Sequence, residues 1–134
     1  MSHRFGVHGE LVEAFLDEVR STEKGVWLRY AELALPSRAV VAAGRALNEV
    51  RLPAPVKTAL YSASLDAFRS IGLTDDDLPE GVYVSRVAGG IQNAATALAA
   101  GESLEAGHRR VLLLPFDQCG FDSVKDAVPS EETS

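Results

Sequence analysis

Apolar residues recur at helical spacing along most of the chain, the pattern of amphipathic helices rather than of alternating strands. Leu11, Val12, Phe15, Leu16 and Val19 form one stripe, while Glu10, Glu13, Asp17, Glu18 and Arg20 take the remaining positions. This predicts a helix from about residue 9 to residue 21. After Gly25 the rhythm resumes with Val26, Trp27, Tyr30, Leu33 and Ala34, until Pro36 disfavours helix at Leu35. Ser37 is placed to accept from the first free N–H groups of a third helix, expected to run to about residue 51, in which Val40, Val41, Gly44, Leu47 and Val50 share a face. Leu52-Pro53-Ala54-Pro55 reads as a rigid connector, and Pro55 suits the first turn of a fourth helix because its missing N–H has no intrahelical partner there. Val56, Ala59, Leu60, Ala63, Ala67, Phe68 and Ile71 line that helix, and Gly72 ends it, with Leu73 turned back toward Phe68.

The fifth helix has two possible starts. Capping by Thr74 puts Pro79 a turn inside the helix, where its ring meets the carbonyl four residues back. Capping by Asp77 puts Pro79 in the first turn and Glu80 at the reciprocal capping position, and is the start expected here. From there Val84, Val87, Ile91, Ala94, Ala95 and Leu98 keep helical spacing to Gly101, although Val82-Tyr83-Val84 also suits an extended segment. Gly89-Gly90 in mid-helix costs roughly 1 kcal/mol per glycine. That cost implies a compensating close approach of another helix. Beyond Gly101, residues 103–110 fit one more helix, whereas 110–116, a short apolar run holding Pro115, fits helix or strand equally well.

These segments predict an all-α, compact bundle of about five helices with an irregular C-terminal segment. The alternative is α/β with a small parallel sheet built from residues 82–85 and 110–114. Residues 1–128 are expected to form a single helical domain and 129–134, polar and apolar-poor, a disordered tail.

Composition narrows the functional classes. At 134 residues, 46% hydrophobic and 24% charged, the chain has the make-up of one ordinary globular domain. A formal net charge of −6 disfavours nucleic acid as a partner, since phosphate neutralisation needs a basic excess. Arg109-Arg110, the one adjacent basic pair, falls short of a polybasic membrane cluster, and no run approaches the ~20 apolar residues of a membrane span. With no signal-peptide core at residues 1–5 and a single cysteine, Cys119, a cytoplasmic acidic protein is expected.

Candidate chemistry is sparse. His3, His8 and His108 are scattered and lack metal-ligand partners at the right spacing, and the Asp75-Asp76-Asp77 run suits the positive end of a helix better than an ion, so neither metal nor cofactor is expected. Cys119 sits between Asp117 and Asp122, whose charges oppose a thiolate. The glycines at 89 and 90 match neither the P-loop nor the dinucleotide fingerprint. His108, Arg109 and Arg110 stand together as a possible small-anion pocket. Tyr83, Arg86, Gln92 and Asn93 put polar groups along an otherwise apolar helix, where each needs an internal or external partner. Trp27, Arg29 and Tyr30 resemble the aromatic and arginine anchors of protein interfaces, and Gly89 and Gly90 offer a small-residue surface.

With no catalytic signature, the sequence points first to a non-catalytic helical interaction or regulatory module that self-associates, a homodimer for instance. The alternative is a protein or enzyme that binds a small anionic ligand through His108, Arg109 and Arg110.

Overall fold

Over residues 8–50 and 52–128, which the computed structural model describes, the helical rhythm of the sequence becomes six α-helices and no strand. They are α1 (Gly9–Ser21), α2 (Lys24–Ala34), α3 (Arg38–Ala46), α4 (Ala54–Ile71), α5 (Val84–Ala100) and α6 (Ala106–Gln118). The chain is thus an all-α bundle, and the small parallel sheet is absent from the described residues. The proposed tail, 129–134, and His3 lie outside them.

Local chemistry sets several of the ends. The Val40 N–H donates to Ser37 Oγ at 3.2 Å, capping α3. Gly72, at φ 71°, ends α4, and the Leu73 N–H returns to the Phe68 carbonyl at 3.1 Å, the Schellman closure that the glycine and the apolar pair imply. α3 stops at Ala46 rather than near residue 51, because its last turn tightens into a 3₁₀ turn at Leu47–Glu49.

Two further expectations are corrected. Asp77 does not cap the fifth helix. The Thr74 N–H donates to its carboxylate at 2.8 Å, closing a single 3₁₀ turn, Asp75–Asp77. The chain then passes Pro79 and Gly81, at φ 85°, and α5 begins only at Val84, whose N–H donates to Asp75 at 2.7 Å. The carboxylate that starts α5 therefore lies nine residues upstream rather than in an adjoining capping box. The C-terminal segment is also regular rather than irregular. Residues 106–118 form α6 around a buried Pro115, and a 3₁₀ turn follows at Asp122–Ala127. Leu112, Leu113 and Phe116 are buried at i, i+1 and i+4, so residues 110–116 have a helical rather than an alternating apolar face.

Backbone donation from Thr74, joined by its hydroxyl and by Lys24 at 3.4 Å, outweighs the opposing desolvation and holds the Asp77 carboxyl below its ordinary range. The contribution of this turn to stability is complete above the ordinary carboxylate pKa and is lost as pH falls through the lowered folded value.

The core lies around α5, which packs most extensively on α4 and also meets α1, α2 and α6. From Ala94 to Ala100 every residue of α5 is buried, the mark of a helix enclosed on all sides. Beside it stands an aromatic cluster. Trp27 meets Phe68 edge-to-face at 5.2 Å and Phe121 at 5.5 Å; Phe15 meets Phe116 at 5.0 Å; Tyr30 lies 4.4 Å from Phe116. The last 3₁₀ turn is fastened to α1 by Glu18, which accepts from the N–H and the hydroxyl of Ser123, each at 3.0 Å. None of the described helices is long and apolar enough to cross a membrane.

The two adjacent glycines of α5 differ. A methyl group built on Gly90 would stand 3.0 Å from Tyr30 Cζ and overlap its hydroxyl, and the Tyr30 ring, held against Phe116, cannot swing aside. Nothing lies within 4 Å of the same position at Gly89. The close approach expected from the sequence therefore exists at one glycine only, and it is made by a side chain of α2. Gly90→Ala is expected to destabilise by about 1–3 kcal/mol through overpacking, and Gly89→Ala to stabilise by up to about 1 kcal/mol through helix propensity. Urea unfolding of the two variants checks the opposite signs.

Candidate functional site

Among the described residues the surface concavities include the three that follow. The first, about 390 Å³, lies between α2, α3 and α5. On α3 and the 3₁₀ turn that follows it the wall is Val40, Val41, Gly44, Arg45 and Asn48; on α5 it is Arg86, Gly89, Gly90, Gln92 and Asn93; Tyr30, Ala34 and Leu35 of the α2 end complete it. Positions 41, 45 and 48 recur at i, i+4 and i+7, and 86, 89, 90 and 93 at i, i+3, i+4 and i+7, so one face of each helix borders the groove. At one end the Arg86 guanidinium donates to the Leu35 carbonyl at 3.2 Å. Toward the other, a methyl group on Gly44 would lie 3.0 Å from the Asn93 amide nitrogen, and Gln92 donates to the Lys57 carbonyl at 3.4 Å.

The groove has an unusual floor. Tyr30 is 2% exposed and lines the groove, its hydroxyl standing beside Gly90. Burial, and less so the Cys119 thiol, pushes its phenol far above the ordinary tyrosine value, so the hydroxyl stays neutral and able to donate at physiological pH. No Asp or Glu lines the groove, while Arg45 and Arg86 do. In a chain of net charge −6, this is a locally cationic recess with three side-chain amides, one phenol and an apolar wall of Ala34, Leu35, Val40 and Val41.

The second concavity, about 420 Å³, is walled by Asp17, Glu18, Glu23, Thr22, Cys119 and Phe121. Burial raises the Cys119 thiol and outweighs the opposing pull of Arg29, which removes the condition a nucleophilic thiolate needs. Among the described residues no three His, Cys, Asp or Glu side chains are gathered to hold a metal ion. The third, about 280 Å³, brings His8 and Arg109 together with Glu102, Asp126, Leu11 and Leu98. The Arg109 Nε is buried there without a hydrogen-bond acceptor, and the His8 ring lies against Gly101.

Each residue singled out in the sequence now has a place. His108, Arg109 and Arg110 are consecutive on α6 and point about 100° apart around it, so they do not converge. Arg109 turns to the third concavity with His8, and His108 and Arg110 line none of the three. Trp27 and Tyr30 are 0% and 2% exposed and belong to the aromatic core, where no partner protein reaches them; Arg29 beside them is exposed. Gly90 is covered by Tyr30, and Gly89 opens onto the groove. Arg86, Gln92 and Asn93 find their outlet in that groove, while Tyr83 is 57% exposed. Arg45 and Asn48 were not anticipated; their i, i+4 and i+7 spacing from Val41 was the available signal.

Comparison with protein-family models, with curated proteins and with solved structures finds no match, which leaves the geometry of these sites as the guide to function.

The raised Cys119 thiol is expected to react with a disulfide reagent at neutral pH more slowly than free cysteine, and more slowly still in Arg29→Ala, which removes the cation favouring the thiolate. Reaction kinetics followed by absorbance measure both.

Proposed function

We propose that the chain is a non-catalytic binding module whose groove between α2, α3 and α5 takes a small organic anion. The observation that carries this reading is the Tyr30 hydroxyl, set on a 2%-exposed residue beside Gly90 at the floor of a groove that has two arginines and no carboxylate. The phenol, held in place by its buried ring, offers a donor to a ligand oxygen, and such a hydrogen bond contributes about 0.5–1.5 kcal/mol. The groove volume of about 390 Å³ lies within the range of small-molecule sites, which combine an apolar wall with a few fixed polar groups. The Gly89-Gly90 pair keeps the α5 wall low, so a ligand has access to the floor.

The anionic-ligand reading of the sequence thus moves from His108, Arg109 and Arg110 to Arg45, Arg86 and Tyr30. The self-association reading loses Trp27 and Tyr30 as anchors, since both are enclosed. It keeps Gly89 and the exposed Arg29, together with Leu33 at 40% and Val41 at 42% exposure on either side of the turn between α2 and α3.

A ligand that binds only the folded chain raises its melting temperature, by about 2.7 kcal/mol of stability at a hundredfold excess over Kd. Thermal denaturation against a panel of organic acids is expected to yield stabilising compounds whose effect disappears in the double variant Arg45→Glu, Arg86→Glu. Both side chains are exposed, so the fold tolerates the change. No stabilisation by any acid, or stabilisation undiminished in the double variant, overturns the reading.

A further inference from the structure

The two arginines of the groove stand at opposite ends of it. Arg86 lies where the end of α2 meets α5, fixed by its bond to the Leu35 carbonyl. Arg45 follows Gly44, which faces Asn93 seven residues further along α5. Seven helical residues advance about 10 Å. Between the two cationic ends lie Val40 and Val41 on α3 and the bare Gly89-Gly90 backbone on α5, with the Tyr30 hydroxyl at mid-length. Arg86 uses one of its five N–H donors on Leu35, and Arg45 has no acidic partner lining the groove. Asn48 and Asn93 add amide donors at the Arg45 end alone.

We infer that the ligand is an elongated dianion, with a carboxylate or similar oxyanion at each end and an apolar middle. This rests on the reading of the groove as an anion site. A compact anion such as phosphate reaches only one arginine and leaves the apolar middle wet. A fatty monocarboxylate satisfies one arginine and leaves the other end of the groove unmatched. A straight-chain dicarboxylate engages both guanidiniums, covers Val40 and Val41, and passes an acceptor or a displaced water over Tyr30. The amides at the Arg45 end make the two ends unequal, so one carboxylate receives more donors than the other and the ligand binds in a preferred direction.

Calorimetric titration with suberate, octanoate and octane-1,8-diol, three chains of equal length carrying two, one and no charges, separates the possibilities. Suberate is expected to bind at least tenfold more tightly than octanoate, the effect of one further charge-assisted hydrogen bond, and the diol weakest of all. Arg45→Gln and Arg86→Gln should each lower suberate affinity about tenfold. Only one of the two should weaken octanoate. Tyr30→Phe, which retains the ring, tests the groove itself by weakening both acids. Equal binding of suberate and octanoate, both weakened by Tyr30→Phe, overturns the dianion and leaves the anion groove standing. Binding of neither acid, or binding indifferent to Tyr30→Phe, overturns both.

Discussion

The aromatic cluster is the constraint on which the remaining geometry depends. Phe15 of α1, Trp27 and Tyr30 of α2, Phe68 of α4, Phe116 of α6 and Phe121 of the following loop touch one another in a continuous set, mostly edge-to-face. Such pairs contribute roughly 0.5–1.5 kcal/mol each beyond burial, and their edge-to-face preference fixes ring orientation as well as distance. Four helices and the C-terminal turn are thereby set against one another by stiff side chains. The arrangement has a cost, because the Trp27 indole N–H is buried without an acceptor. The six-ring contact network offsets that unsatisfied donor.

Tyr30 links this core to the surface. Its ring belongs to the cluster, stacked against Phe116, while its hydroxyl emerges beside Gly90 at the bottom of the groove. The floor of the site is therefore positioned by the packing of the Tyr30 ring in the core. Rigidity of this kind suits recognition, since the donor is held in place before any ligand arrives and little ordering remains to be done on binding. The walls are of another character. Val41 and Arg45 stand exposed on α3, a short helix capped by one serine, and Asn48 stands exposed in the 3₁₀ turn that ends it.

Where a short-range chemical rule acted alone, the sequence was readable. The stripe of α1, the Ser37 cap and the Gly72 closure each depend on residues close together in the chain. The start of α5 was misplaced because its first N–H is met by Asp75 across nine residues, and no local rule distinguishes that bond from a capping box at Asp77. The run around Pro115 stayed ambiguous because a four-residue apolar stretch has no period, and its helical form is decided by Phe116 joining the ring cluster. The site was half legible. Arg86, Gln92 and Asn93 stood out as polar residues on an apolar helix, but their meeting with Arg45 and Asn48 is a tertiary fact. The cationic triplet on α6 was attractive as a string of letters, and helical geometry disperses it.

The alanine-rich second half of α5 has its own consequence for how this chain can change. Ala94, Ala95, Ala97, Ala99 and Ala100 are all enclosed, and almost any replacement of an enclosed alanine adds atoms to a space already filled. Drift along that stretch is therefore one-sided, with nearly every step a step toward crowding. The lip of the groove on α3 carries no such restriction. A lineage of this protein is free to retune which molecule it accepts by altering positions 41, 45 and 48, while the helix beneath them stays frozen.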